Sequence, residues 1–227
     1  MVSVLTIAFG LPIHQAVGTA LASMVVVSVF GTISHYREGN INFAAGITVG
    51  VFGMFGAILG ADLGQNIPEH VLQTMAGLAL WFLAFLVWLR TRLAPRMAAD
   101  IAGSEPPATP VMIARGGALG VVGGIASAFF GVGMAPFIQL GMLTVFKLSL
   151  VRTIGTTMLA LIFIASSGSI ALARHGDVSV EHLVGATIGM MVGSYVGAKL
   201  TRRAPVAVLR VAIVATPFLA GTLLIVG

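Results

Sequence analysis

The sequence predicts an all-α integral membrane protein, a polytopic helical bundle of two homologous repeats with broken or re-entrant helices. Hydrophobic residues make up 58% of the 227 residues and charged residues only 8%, whereas a typical soluble domain has about 25% charged residues. Several apolar runs approach the roughly 20 residues that cross a bilayer. The chain also repeats itself, as membrane transporters with a substrate site between two halves commonly do.

The repeat is visible when the chain is moved along itself by 137 residues without a gap. Matches at Gly, Thr, Arg and Pro are informative, because apolar sequences match by chance mainly at Leu, Val and Ala. The matched pairs include Gly18-Thr19 with Gly155-Thr156, Gly31 with Gly168, Arg37 with Arg174, Gly39 with Gly176, Gly56 with Gly193, Gly60 with Gly197 and Pro68 with Pro205. We therefore predict a first transmembrane repeat over residues 1–89, a cytoplasmic linker over 90–113 and a second repeat over 114–227.

Each repeat is expected to contain three full spans, at 16–34, 43–63 and 71–89 and at 150–172, 181–200 and 206–226. The further apolar stretch 116–146 is broken by a Gly/Pro cluster. It would be about 46 Å long as one helix, so two half-helices around the break are expected. By the same offset, 116–136 corresponds to positions before residue 1. The first repeat is therefore expected to lack its opening half-helix, and a late start or a shortened chain is favoured over an asymmetric protein.

The orientation of the two repeats depends on this broken stretch. A single crossing would make the repeats parallel, whereas a re-entrant stretch would make them inverted. In the inverted arrangement most basic residues share one side and Arg174 lies on the other; in the parallel arrangement they divide almost evenly. The shared set is Arg37, Arg90, Arg92, Arg96, Arg115, Lys147, Arg152, Lys199, Arg202 and Arg203. Because cytoplasmic loops are enriched in Lys and Arg, we predict inverted repeats with a cytoplasmic linker. Residues 1–9 are expected to form a half-helix packed like 137–146.

Four segments together resemble the sulfite exporter TauE/SafE family of membrane permeases. They are GLPIHQAVGTA at 10–20, HYREGNIN at 35–42, GAILGA at 56–61 and FGVGMAP at 130–136. The resemblance extends from Val4 to about Leu224. Two features depart from the family pattern: Met134 and Ala135 stand where Gly is common, and the first copy of the break is missing. The resemblance implies transport of small anions, typically sulfite, sulfonates or other organosulfur acids, across the bacterial inner membrane.

The Gly/Pro break is the first candidate for an anion site. An anion inside a membrane needs hydrogen-bond donors and positive potential, and a broken helix offers free N–H groups and a helix N-terminus with partial positive charge. Gly131 and Gly133 would allow close approach of the backbone, and Pro136 suits the first turn of the next half-helix. Ser127 and Gln139 flank the break. The alternative is that these glycines only permit tight helix packing.

The duplicated Gly-Thr steps are the second candidate. Their hydroxyls could donate to an oxyanion, although Thr in membrane helices commonly bonds its own i−4 carbonyl. Arg152 offers a bidentate guanidinium or a helix-end anchor, and its repeat partner is Gln15. His14 is a candidate for proton coupling, because imidazole changes charge near neutral pH; a water-exposed loop histidine is the alternative. The substrate-binding candidates in these steps are Gly18, Thr19, Gly155, Thr156 and Thr157. Together with the break they are expected to converge on one substrate site near the middle of the bilayer.

These features favour a secondary transporter that works by alternating access and draws on an ion gradient. The alternative is a permease or channel for another solute such as a metal cation, which would need carboxylates inside the spans; Asp62 is the one plausible case. An enzyme is not expected, because no nucleophile–base pair or zinc signature is embedded in the spans. Without cysteine or a basic stripe with aromatics, no cofactor, metal or nucleic acid is expected. The expected partners are a small anion and the bilayer, and a homo-oligomer is left open.

Overall fold

The structure, a computed structural model, describes residues 1–101, 109–131, 134–201 and 206–226, and over these residues it is helical without a strand. Along them lie α1 (Val2–Phe9), α2 (Ile13–Arg37), α3 (Phe43–Gln65), α4 (Glu69–Ile101), α5 (Thr109–Phe130), α6 (Ala135–Val145), α7 (Leu150–Arg174), α8 (Val180–Thr201) and α9 (Val206–Val226). Five candidate spans of mean hydropathy 1.5 to 2.0 lie in α2, α3, α4, α5 and α7. The predicted class, an all-α integral membrane bundle, is confirmed.

The broken stretch differs from its prediction in one respect. It breaks at the predicted place, but α5 has 22 residues and is long enough to cross a bilayer, because the apolar run already begins at Pro110. Only α6, with 11 residues, is a half-helix. α4 likewise continues past residue 89 into the predicted linker and ends at Ile101. Residues 102–108 of that linker, and Gly133, lie outside the described residues.

α5 and α6 form a helical hairpin. Gly123, late in α5, packs on Ile138, early in α6, whereas Gly116, early in α5, packs on Phe146, directly after α6. Contacts that pair the late part of one helix with the early part of the next show that the two helices are antiparallel. The chain turns at Gly131, and α6 returns toward the end of the bundle at which α5 begins. This is the re-entrant geometry on which inverted repeats depend.

The helices that the sequence offset equates, α2 and α7, also run antiparallel. Both their starts and their ends are 137 residues apart. Gly18, near the start of α2, packs on Asp177 beyond the end of α7, and Gly155, near the start of α7, packs on Asn40 beyond the end of α2. This exchange of roles is the antiparallel packing that inverted repeats would require. α1 and α6 fit the same relation, since α1 packs on α2 and α9 as α6 packs on α7 and α4.

The two ends of the bundle differ in charge. The exposed side chains of Arg37, Lys147 and Arg152 lie where α2 finishes and α7 begins. Arg115 lies at the same end, because the next residue in α5 packs beside Phe146. We refer to this end as the basic end. Arg174 lies at the opposite end, as predicted for inverted repeats. The other basic residues of the prediction have side chains outside the described part of the chain.

Candidate functional site

The α5–α6 break is fixed by the packing of Gly131 on α2. Gly131 is buried with φ +63°, and a Cβ at this position would lie 2.8 Å from the Cα of Val17. Both the positive φ and the close approach require glycine. Pro136 is the second residue of α6, where its missing N–H costs no helical hydrogen bond. The sequence therefore places the break against the first turns of α2.

A cavity of about 200 Å³ adjoins the break. On α2 it is lined by Ala20 and Met24, which lie on the same helix face as Val17. Met24 is next to the middle of α2, and Val17 is about 12 Å from that middle along the helix axis. The cavity therefore extends from the break toward the middle of α2. Its complete lining is Met1, Val2, Ser3, Ala20, Met24, Leu80, Gly131, Met190 and Ala220.

Ser127 lies one helical turn before the break and is fully buried. The Gly131 N–H donates to the Ser127 carbonyl at 2.9 Å, whereas the Ser127 hydroxyl has no hydrogen-bond partner among the described residues. In a protein a buried unpaired polar group costs about 1–3 kcal/mol. Ser127 shares a helix face with Gly123 and Gly131, which pack on α6 and α2. Gln139, also buried, lies in the second turn of α6.

Each of the two Gly-Thr steps, one in α2 and one in α7, binds the turn that follows the other helix. The Ser179 N–H donates to Thr19 Oγ1 at 3.0 Å, and the Asn42 N–H donates to Thr156 Oγ1 at 2.9 Å. Asn42 and Ser179 are themselves 137 residues apart, and each directly precedes a helix, α3 or α8. We call these two contacts the hairpin clamps: Gly18-Thr19 with Asp177–Ser179, and Gly155-Thr156 with Asn40–Asn42. The glycine in each clamp leaves room for the carbonyl of Asp177 or Asn40.

The structure does not bring the clamps and the break to one point. Thr19 is two residues from Val17, about 200° around the helix, so its hydroxyl lies on the face of α2 away from Gly131. The Gly155-Thr156 clamp lies at the basic end, at the other end of α2. Thr157 Oγ1 donates to the Thr153 carbonyl of its own helix at 2.8 Å, which is the alternative considered for these threonines.

The remaining candidates divide between the two ends. Arg152 is exposed in the first turn of α7 at the basic end, far along α2 from the break. His14 and Gln15 are half-buried in the first turn of α2, three and two residues before Val17, and so lie at the same end as the break. Gly133 lies outside the described residues. Ser127, Gly131, Pro136 and Gln139 are thus the predicted residues that the hairpin fold gathers.

Asp62 does not provide a carboxylate inside a span. It lies near the end of α3, where its Oδ1 is 3.4 Å from His175 Nε2, and both side chains are substantially exposed. Nearby, Gln65 Nε2 donates to Asp177 Oδ2. Within the described part of the chain, no three His, Cys, Asp or Glu residues are grouped as metal ligands. The described residues around the break therefore offer donors of hydrogen bonds and no carboxylate.

Sequence reasoning missed Asn42 and Ser179, the residues whose backbone N–H groups complete the clamps. They are different amino acids, so a search for identical residues in the two repeats passes over them. The signal was their position: both follow a short turn, directly precede an apolar span and obey the 137-residue offset. The informative feature was the 137-residue spacing of Asn42 and Ser179, and not their residue types.

Apolar spans, a re-entrant hairpin and a cavity between packed helices are features that polytopic membrane transporters share. The family model described as Sulfite exporter TauE/SafE matches residues 1–224. The chain belongs to this family, which confirms the resemblance seen in its segments.

Two curated relatives carry transporter names. The chain is 39% identical over 140 residues to "Probable membrane transporter protein YdhB" of Bacillus subtilis (strain 168), covering 62% of this chain and 55% of the relative. It is 26% identical over 121 residues to a "Probable membrane transporter protein" of Xylella fastidiosa (strain Temecula1), covering 53% of this chain and 44% of the relative. The chain thus spans about half the length of the curated relatives it matches. No solved structure matches it.

Proposed function

We propose that the protein moves a small anion, either sulfite, a sulfonate or another organosulfur acid, across the bacterial inner membrane. The substrate class is supported by the family, whose description names sulfite export. It is also supported by the chemistry around the break, where donors meet a helix start without a carboxylate. Helix starts and hydroxyls bind oxyanions without a fixed cation, and this suits a chain in which only 8% of residues are charged.

The observation that carries the proposal is the buried, unpaired hydroxyl of Ser127. A hydroxyl that is fully buried without a partner reduces stability, so its presence beside the break is explained if a bound anion accepts its hydrogen bond. The cavity of about 200 Å³ next to Gly131, whose wall does not include Ser127 or Gln139, would bring a small oxyanion as far as the break. In this proposal Ser127, Gly131, Gln139 and the start of α6 with Pro136 form the anion site.

We further propose alternating access between the two repeats, with each hairpin clamp tying the repeats together at one end of the α2–α7 pair. Opening one end requires the clamp at that end to yield while the other holds. The cavity supports this mechanism, since it extends from the break toward the middle of α2, a position from which either end can be reached. The basic end is the cytoplasmic end in this proposal, by the excess of Lys and Arg there.

The test compares Ser127→Ala with Ser23→Ala in proteoliposomes loaded with sulfite or a small alkanesulfonate. Ser23 is an equally buried serine, but its hydroxyl donates to the Thr19 carbonyl of its own helix. A hydrogen bond to a charged group contributes about 1.5–3 kcal/mol, so Ser127→Ala should slow transport roughly tenfold or more. Removal of an unpaired hydroxyl should leave the melting temperature unchanged or raise it. Wild-type transport by Ser127→Ala would remove this residue from the site.

The substrate class is tested separately by thermal shift of the purified protein with sulfite, an alkanesulfonate, sulfate and divalent metal cations. A ligand of the folded state raises stability in proportion to the logarithm of its concentration over its Kd, about 2.7 kcal/mol at 100 Kd. We expect stabilisation by sulfite or the sulfonate. Stabilisation by a divalent cation alone would favour the cation permease and contradict the anion proposal.

A further inference from the structure

Many Ser and Thr hydroxyls in the helices donate to a carbonyl one turn earlier in the same helix, as is common in membrane helices. Examples are Ser23, Thr48, Thr157 and Ser167. Ser28 and Thr32 of α2 differ, since their hydroxyl oxygens are buried without a hydrogen-bond partner among the described residues. His35, in the last turn of the same helix, has its Nδ1 buried in the same way. Three unpaired buried polar atoms in one helix require an explanation.

Ser28, Thr32 and His35 lie on one face of α2, because residues four and seven positions apart recur on the same side of a helix. They extend over about 10 Å along the axis, from three residues past the middle of α2 to its last turn. Leu21, on the same face, packs beside Gly168 of α7. The three side chains therefore lie on the side of α2 that packs on α7. We call Ser28, Thr32 and His35 the donor ladder.

The corresponding face of α7 has no such ladder. The counterparts of the three residues, 137 positions further on, are Ala165, Ser169 and Leu172. Ala165 and Leu172 are buried and apolar, and Ser169 Oγ donates to the Ser166 carbonyl at 3.1 Å. The unpaired donors are therefore not a consequence of the repeat, and they belong to α2 alone.

The same face of α2 connects the donor ladder with the break. Val17 lies eleven residues before Ser28, on the same side of the helix, and it packs on Gly131. The face thus meets the break in its first turns and carries the ladder in its second half. The exposed Arg37 and Arg152 lie at the basic end, beyond the ladder. Positive charge at the mouth of a route raises the local concentration of an anion.

We propose that the donor ladder is a second binding station for the transported oxyanion, between the middle of α2 and the basic end. Hydroxyls one turn apart, about 6 Å along the axis, can both donate to oxygens of one small oxyanion, and an imidazole N–H is a further donor. Glu38 Oε2 lies 3.7 Å from His35 Nδ1, but this side chain is 57% exposed and accepts from Asn40 Nδ2. Its carboxylate therefore marks the outer end of the ladder. The proposal rests on the proposed anion transport and adds to it a station outside the break.

The absence of cysteine makes thiol modification in proteoliposomes a direct test. Ser28→Cys and Thr32→Cys are treated with sulfonatoethyl methanethiosulfonate, itself a small sulfonate, and with its cationic trimethylammonioethyl analogue, each rate being divided by the rate with a free thiol. We expect the anionic reagent to react roughly tenfold faster than the cationic one, and methanesulfonate to slow it several-fold. The matched control is Ala165→Cys, the equally buried counterpart of Ser28, which should react with neither reagent.

Three results would overturn the donor ladder. Modification of Ser28→Cys no faster than that of Ala165→Cys would mean that anions do not reach this face. Equal normalised rates for the two reagents would make it a water path without preference for anions. A rate that methanesulfonate does not change would exclude binding of a sulfonate there.

Transport separates failure of the ladder from failure of the proposed function. Ser28→Ala and Thr32→Val should slow methanesulfonate transport several-fold, while the loss of an unpaired hydroxyl should not lower the melting temperature. If Ser127→Ala loses transport and both ladder variants keep the wild-type rate, the ladder is wrong and the proposed function stands. If neither sulfite nor a sulfonate stabilises the wild type, the proposed function fails and the ladder fails with it.

Discussion

The hairpin clamps make a sharp prediction for Thr156→Val. The substitution keeps the shape of a fully buried side chain but removes the acceptor for the Asn42 N–H, which lies 2.9 Å from Thr156 Oγ1. Asn42 is the N-cap of α3, and its own side chain accepts from the Ala45 N–H at 3.0 Å. A single change therefore leaves a part-buried donor unpaired at the start of a membrane span.

The expected cost follows from that unpaired donor. An unsatisfied buried donor costs about 1–3 kcal/mol, and for a chain of this size 1 kcal/mol corresponds to about 2–4 °C in Tm. We expect Thr156→Val to lower the apparent Tm by about 4–8 °C, for a loss near 2 kcal/mol. The measurement is thermal unfolding of the purified protein in one detergent at one scan rate.

The adjacent residue provides a matched control. Thr157 is also fully buried, but its hydroxyl donates to the Thr153 carbonyl within α7, and that carbonyl keeps its helical hydrogen bond in Thr157→Val. This control should therefore change the Tm by much less. Thr19→Val should behave like Thr156→Val, because the Ser179 N–H loses its acceptor in the same way. Equal Tm values for Thr156→Val and Thr157→Val would refute the clamp.

Five further substitutions make three tests of contacts in the structure, each by the same Tm measurement. Gly131→Ala and Gly10→Ala share the cost of a positive φ, about 1–2 kcal/mol, but only Gly131 also packs on Val17. The Gly131→Ala protein should therefore have the lower Tm. Equal Tm values for the two variants would exclude the contact with Val17. Gly56→Ala should destabilise the protein by about 1–3 kcal/mol, because the added methyl group overpacks the helix contact. At Gly193, where a Cβ would meet nothing within 4 Å, Gly193→Ala should stabilise the protein by up to about 1 kcal/mol through helix propensity. A higher Tm for Gly56→Ala than for Gly193→Ala would contradict the helix assignments. Asp62→Asn breaks a pair that is largely exposed, so its Tm should stay within about a degree of wild type, and a large loss would mean that the pair is buried in the membrane.

The long helices could be predicted because local chemistry determines them. The spans predicted at 16–34 and 43–63 became α2 and α3, each extended by a few residues, since apolar runs bounded by polar turns form helices in a membrane. The length of α5 was missed because Arg115 interrupts the apolar run, although Pro110–Ala114 before it is almost wholly apolar. A long cationic side chain can reach the interface from within a helix.

The candidate site was predicted less well than the helices. The sequence indicated that the Gly-Thr steps are equivalent, but the prediction that both meet the break at one point was wrong, because the steps lie at opposite ends of α2. Their separation depends on the antiparallel packing of α2 on α7, which arises from distant contacts such as Gly31 with Met158 and Gly168 with Leu21. Gly131, by contrast, was found from local signals alone, because glycine and proline close together interrupt a helix through their own backbone preferences, whatever packs around them.

The antiparallel pair also explains why a duplicated motif need not be a substrate site. In an inverted arrangement a residue and its counterpart lie at equal distances from the pseudo-two-fold axis, on opposite sides of it. Both can touch one small ligand only when they lie near the middle of α2 and α7, and Gly18-Thr19 and Gly155-Thr156 lie near the ends. A motif repeated at the two ends of the α2–α7 pair suits a contact that is made once at each end, and the hairpin clamps are such contacts. Near the middle of α2 the chain instead places Ser28, whose hydroxyl is buried without a partner among the described residues, opposite a counterpart, Ala165, that has no hydroxyl. Ser28 and Ala165 therefore differ near the middle of the helix pair, whereas the clamps at its two ends are alike.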